Sequence, residues 1–202
     1  MSTPYSDING TFTQVCHELA RDLVYPDFVG VDRSNITYED TLLSGDEREK
    51  LLDGELAVDR LLKISVGYFH KPLEIMVQER FRRPKFARWR DITITEWNNQ
   101  TNLPSELYKI KAAYFVYGYG NHPITPTDFT EVVIVNVPIL IKGLLNKSLK
   151  YTTDLNPRSN QTFLCVSFQD LFKFGAIEYH YTKDERLQMK LDLIEMVQTQ
   201  GG

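Results

Sequence analysis

Cysteine is scarce in this chain of 202 residues: there are two, Cys16 and Cys165, far apart and in no Cys-x-x-Cys spacing. That pattern excludes a disulfide scaffold and a cysteine zinc site, and it points to a reducing, intracellular setting. Histidine is nearly as sparse, and His17, His70, His122 and His180 lack the paired spacing of a histidine zinc site. No Gly-x-Ser-x-Gly occurs, which removes the commonest serine-hydrolase elbow. The glycines of 114–120 are not followed by the Gly-Lys-Ser/Thr of a phosphate loop. The opening residues MSTPYSDING hold no basic stretch leading into an apolar run, so no secretory leader is expected. The longest apolar run, 132–141, is broken by Asn136 and Pro138 and is too short to span a bilayer. A cytoplasmic protein with no membrane partner is the expectation.

The length suits a single domain over 1–202, large enough to bury a core without a metal or disulfide. Apolar residues at 42% and charged residues at 25% are ordinary for a folded globular chain and exclude disorder. Basic charge is in deficit overall, with a formal net charge of −4. It is nevertheless concentrated. Arg80, Arg82, Arg83, Lys85, Arg88 and Arg90 fall within 80–90, where there is only the positive sign, leaving −10 on the remainder. A local basic stripe on an acidic body directs an anion to one place.

Thr11 and Gln14 form a capping-box pattern ahead of Phe12, Val15, Cys16, Leu19, Ala20 and Leu23, one apolar helical face. A helix over 11–24 is predicted, ended by Tyr25-Pro26, with an irregular connection over 26–43 and a short helix from 44 to about 54. Strands are predicted at 57–66 and 73–81, paired as an antiparallel hairpin around Gly67, with a third antiparallel strand at 91–97. Then follow a helix at 104–112, strands at 113–119 and 131–137, and a helix at 139–149 with Leu140, Leu144 and Leu145 inward. A strand at 162–168 and an amphipathic helix at 184–198 complete the chain. This order predicts an α/β fold with a mixed central sheet flanked by helices.

Chemistry concentrates between 53 and 121. Asp59 sits early in the first strand of the hairpin and Gln78-Glu79-Arg80 lies on the second. Strand alternation puts Gln78 and Arg80 on one face and Glu79 on the other. A carboxylate beside an oxygen-bearing side chain and a cation suits phosphodiester hydrolysis: hard oxygens hold Mg²⁺, and the cation neutralises phosphate charge. Here the chain resembles the PD-(D/E)XK nuclease superfamily, over roughly 11–120. That pattern has a leading helix with a Glu, an Asp at the first core strand, and (D/E)-x-K on the next. Asp59 takes the Asp position and Gln78-Glu79-Arg80 the (D/E)-x-K position. The sequence departs from the pattern twice. Gln78 ligates without charge, and Arg80 stays protonated and cannot be a base. Glu79 replaces Gln78 only if a bulge turns it over.

The resemblance implies a restriction-endonuclease-like fold, with residues 121–202 completing the sheet and its cover. It implies a metal-dependent nuclease using Mg²⁺ or Mn²⁺. Asp59, Gln78 and a leading-helix acid, Glu18 (or Asp22), are the candidate metal ligands. Arg80 and Lys109, from the following helix, are the catalytic cations. Asp91 and Glu96 are candidate supporting acids, their ordinary role being outward residues of an alternating strand. Arg82, Arg83, Lys85, Arg88 and Arg90, interleaved with Phe81, Phe86 and Trp89, form the expected nucleic-acid contact, DNA first, with a homodimer allowed. Two other readings stay open: a non-catalytic nucleic-acid-binding module on the same fold, and a protein-interaction or assembly protein.

Overall fold

The computed structural model describes residues 4–40, 57–65, 67 and 70–185, and the short helix expected over 44–54 and nearly all of that over 184–198 lie outside them. The observed class is α/β, a mixed sheet flanked by helices.

The N-terminal helix α1 runs from Pro4 to Leu19, a π-helical turn follows at Ala20–Val24, and α2 occupies Tyr25–Val29. The helical path therefore starts before the Thr11–Gln14 pattern and passes through Pro26. That proline sits in the first turn of α2, where a missing N–H costs nothing. The stop is Gly30, at φ 67°. Within the connection expected to be irregular lies strand β1, Ile36–Asp40.

Strands β2 (Arg60–Ile64) and β3 (Leu73–Arg82) form the expected antiparallel hairpin, with Arg60 opposite Val77 and Ile64 opposite Leu73. The third expected strand, β4 (Asp91–Asn98), does not join them. A 3-10 turn at Pro84–Trp89, closed by Arg90 in the left-handed region (φ 45°), takes the chain out of the sheet. β4 instead builds a second sheet with β5 (Leu103–Pro104), β8 (Thr152–Asn156) and β9 (Gln161–Ser167), in the order β5-β4-β9-β8. The free side of β3 is taken in parallel by β6 (Tyr114–Gly120), then come β7 (Phe129–Asn136) and β10 (Ile177–Thr182). The main sheet thus reads β1-β2-β3-β6-β7-β10. Between β5 and β6 the helix α3 is a single turn, Glu106–Lys109. Helix α4 spans Val137–Leu145, with the Asn136 side chain accepting from the Ile139 N–H, and α5 spans Phe168–Phe174. Leu140 faces inward as expected, whereas Leu145 is 79% exposed.

Each face of the main sheet buries its own apolar cluster. On one side Val77, Val116, Val132 and Ile134 meet Phe12, Cys16, Ala20 and Val24 of the N-terminal helical segment. On the other Phe115, Tyr117, Val133 and Val135 meet Ile92, Ile94, Leu164 and Val166 of the second sheet and Leu140 and Leu171 of α4 and α5. The middle of β3, Val77–Glu79, is buried, so Gln78 and Glu79 must find partners inside the molecule.

Gly143 marks how tightly α4 is seated. A Cβ there would lie 2.7 Å from the Phe174 ring and 2.9 Å from the Leu149 Cβ. Alanine favours a helix over glycine by about 1 kcal/mol, but the overpacking costs more. Gly143→Ala is expected to lower stability by about 1–2 kcal/mol, read as a Tm drop of roughly 3–6 °C. An unchanged or higher Tm would show that α4 can move away.

Candidate functional site

The strand β3 carries a polar group on each face. Towards α1, the Glu79 side chain is fully buried. Its Oε2 meets His17 Nδ1 at 2.5 Å and accepts from Arg60 Nε at 3.1 Å, and its Oε1 accepts from the Tyr25 hydroxyl. Burial alone would raise this carboxyl, but the His17 bond and charge, Arg60 and the Tyr25 hydroxyl outweigh it and hold it below the ordinary glutamate value. Burial first, and then the Glu79 charge, pushes the neighbouring Cys16 thiol up to about 12, which makes it inert. No bulge turns Glu79 over, and it ties α1 to the sheet.

The opposite face holds the predicted pair. Arg80 donates through Nη1 to the Thr93 carbonyl at 2.8 Å and through Nη2 to Glu106. Gln78 Nε2 donates to the other Glu106 oxygen at 3.2 Å, and the Thr95 N–H donates to Glu106 at 3.1 Å. Gln78, Arg80, Glu106 and Lys109 line a hollow of about 280 Å³ together with Ala57, Thr95 and Ser105. Gln78 Oε1 is buried and has no hydrogen-bond partner among the described residues. The amide cannot simply be reversed, since its oxygen would then confront the Glu106 carboxylate.

Asp59 lies where β2 begins, beside this hollow rather than among its lining residues. Its N–H donates to the Val77 carbonyl at 3.0 Å, and its Oδ2 accepts the Glu79 N–H at 2.8 Å. The side chain thus clasps the β3 backbone between Gln78 and Arg80. Burial raises its carboxyl to about 7; the Glu79 N–H opposes the rise, while the Glu79 and Glu106 charges add to it.

Of the residues named from sequence, Gln78, Arg80 and Lys109 are brought together and Asp59 abuts them. Glu18 is not. It is exposed, accepting from Gln14 at 3.1 Å. Its helix packs on the Glu79 face of β3, so Glu18 cannot reach the hollow. Asp22 is likewise engaged at the surface, with Arg21 and Arg33. Asp91 bonds the Tyr119 hydroxyl, and Glu96 faces Tyr108. The central organiser, Glu106, reads in sequence as half of an i, i+3 surface pair with Lys109. Only the one-turn helix α3, anchored by Ser105 N–H to the Glu96 carbonyl, directs it inward.

The basic stripe splits. Arg82 and Arg83 precede the 3-10 turn and Lys85 and Arg88 lie in it, with Arg82 4.2 Å from the Phe86 ring centre, Lys85 4.9 Å from it, and Arg88 4.9 Å from that of Trp89. Arg90 is committed elsewhere. It makes two bonds to Glu131, at 3.0 and 2.6 Å, and His180 meets the same carboxylate at 2.8 Å. Trp89 is 49% exposed, whereas Phe81 is packed in the core against Phe129.

Among the described residues no three His, Cys, Asp or Glu side chains gather into a metal-holding group, and no helix is long and apolar enough to cross a membrane. The oxygen donors nearest the hollow are the Asp59 carboxylate, which already accepts the Glu79 N–H, and the Gln78 amide oxygen, which has no partner among the described residues. That set suits a hard dication that keeps most of its water, as Mg²⁺ does with one or two carboxylates. Comparison with family models, with curated proteins and with solved structures returns no match for this chain.

Proposed function

We propose that this protein is a metal-assisted phosphodiesterase acting on nucleic acid, built on a restriction-endonuclease-like core. The observation that carries the reading is the hollow beneath β3. An acceptor buried and unpaired among the described residues, Gln78 Oε1, shares it with Arg80 and Lys109, and the Asp59 carboxyl adjoins it. Supporting the resemblance are a leading helix, Asp59 entering β2, Gln78-Glu79-Arg80 on β3, and a helical turn before the parallel strand β6, with β1 standing ahead of β2 and β4 and β5 interposed before the turn.

Asp59 and Gln78 would hold Mg²⁺ or Mn²⁺, which when bound supplies Lewis acidity towards water and a phosphoryl oxygen. Arg80 is fixed by Thr93 and Glu106, so its guanidinium can meet developing phosphate charge without reorganising. Lys109 adds a second cation at the same hollow. The Glu79 N–H holds one Asp59 oxygen in place. Arg82, Arg83, Lys85 and Arg88 retain the substrate strand.

A second reading, binding without turnover, is favoured by Glu106. Arg80, Gln78 and Thr95 already use its oxygens, which leaves one carboxylate for a metal. Plasmid and oligonucleotide substrates in Mg²⁺ or Mn²⁺ separate the two. Hydrolysis reduced at least 100-fold in Asp59→Asn supports the first reading. Hydrolysis unaltered in that variant removes Asp59 from the mechanism. Binding in EDTA with no hydrolysis in either metal selects the second.

A further inference from the structure

We propose that the surface around Trp89 is a track for a single nucleic-acid strand, with phosphates over Lys147, Lys150, Arg88 and Lys173 and a base stacked on the indole. This deepens the nucleic-acid reading above and rests on it, but it needs neither Asp59 nor a metal.

Two hollows, of about 710 and 560 Å³, both have Trp89 and Ser167 in their walls. The first is lined by Lys147, Lys150 and Tyr151, the second by Arg88, Phe172 and Lys173. These residues are distant in sequence and the fold joins them. Asp91 pairs with Ser167 across β4 and β9, and the Phe168 N–H, opening α5, donates to the Arg90 carbonyl at 2.8 Å. The loop after α4 then brings Lys147 and Lys150 to the same rim. Basic charge therefore extends well beyond the 80–90 stripe, to a place no reading along the chain marks.

Charge and ring exposure select the occupant. Lys147, Lys150, Arg88 and Lys173 are exposed, and among the described residues none is in an ion pair. The two acids in the walls, Asp91 and Asp170, are half-buried and hydrogen-bonded: Asp91 accepts from the Tyr119 hydroxyl at 3.1 Å and Asp170 from the Ser167 hydroxyl at 2.6 Å. Cations thus face solvent while the carboxylates are occupied, on a chain that is otherwise acidic. Trp89, Tyr151 and Phe172 are 49%, 47% and 45% exposed. Trp89 also meets Arg88 and Phe86, and Phe172 meets His180 edge-on, but the exposed part of each ring lies among cations, which suits unpaired bases, whose faces a duplex conceals.

The probe is a fluorescein-labelled thymidine 20-mer, followed by anisotropy in EDTA over a range of KCl. Lys147→Glu/Lys150→Glu is expected to weaken binding at least tenfold and to reduce the salt slope by about 1.4, two single-strand phosphate contacts. Trp89→Ala is expected to weaken it about tenfold and to abolish quenching of tryptophan emission by the strand, Trp97 remaining as the control. Lys147→Arg/Lys150→Arg should restore affinity. If the native chain binds while both the charge reversal and Trp89→Ala keep its affinity, and Arg82→Glu/Arg83→Glu does not, the track is wrong and the nucleic-acid reading survives. A duplex of equal length bound as tightly also overturns the single-strand assignment. A native chain that binds no nucleic acid overturns track and reading together.

Discussion

Glu79→Ala is expected to cost about 3–5 kcal/mol of stability, the range for removing one partner from a buried ionic group. The reason is what remains behind. Arg60 is 12% exposed in its side chain and His17 7%, and both they and the Tyr25 hydroxyl point at the vacated carboxylate. None can turn to water without opening the contact between α1 and the main sheet. At roughly 2–4 °C per kcal/mol for a chain of this size, Tm should fall by about 6–20 °C. The acid side of the pH profile should change too. The Glu79 carboxyl is held below its ordinary value in the folded state. Its contribution is therefore complete above the unfolded glutamate pKa and is lost as pH falls through the lower folded value. The native chain should lose stability in that acid window, and Glu79→Ala should lose less. Urea melts between pH 3 and pH 7 measure both effects, with an unchanged m-value certifying that stability alone has moved. A loss below about 1 kcal/mol at neutral pH would show that the network is not the tie between helix and sheet.

The same strand shows how far residue patterns reach. The β2–β3 hairpin and the separation of Glu79 from Gln78 and Arg80 follow from strict alternation, a local property that survives tertiary packing. A helix was expected over 139–149, after Pro138; the structure starts α4 at Val137, where the Asn136 side chain caps it, and ends it at Leu145. Alternation does not say which sheet a strand enters. β4 was expected beside β3, but the 3-10 turn opened by Pro84 and closed by the left-handed Arg90 diverts it, and Pro84 by itself does not say which sheet the chain then enters. Strands β8 and β10 were missed. Thr152–Leu155 is wholly exposed, and β10 mixes polar and aromatic residues, so neither has a clean period. Glu106 and the lysines around Trp89 escaped for a different reason. Their roles depend on segments meeting in space, 11 to 28 residues apart for Glu106 and 58 to 84 for the lysines and Trp89, which no spacing rule encodes. Arg90 shows the reverse: its letter promised a phosphate contact, and the fold gave it Glu131.

Asp59→Asn is expected to raise stability at pH 8 by roughly 2–4 kcal/mol in EDTA while hydrolysis is lost. The folded chain holds the Asp59 carboxyl near 7, mainly through burial, against an ordinary aspartate value of 3.8. Between those two values the folded state keeps a proton that the unfolded chain has released, so stability declines as pH rises through the window. Asparagine removes that decline yet retains an oxygen to accept the Glu79 N–H. At pH 4 the variant and native chain should therefore agree within about 1 kcal/mol, and they should diverge steadily towards pH 8. Thermal melts at several pH values read the divergence, and the plasmid assay reads the activity. The gain in stability follows from burial alone, so it is the loss of hydrolysis in a variant that stays folded that separates a functional carboxylate from a structural one. A charge kept at a cost to the fold, and needed for turnover, marks a group retained for function. The pairing of a more stable protein with an inactive one is therefore the result that distinguishes a working site beneath β3 from a merely well-packed one.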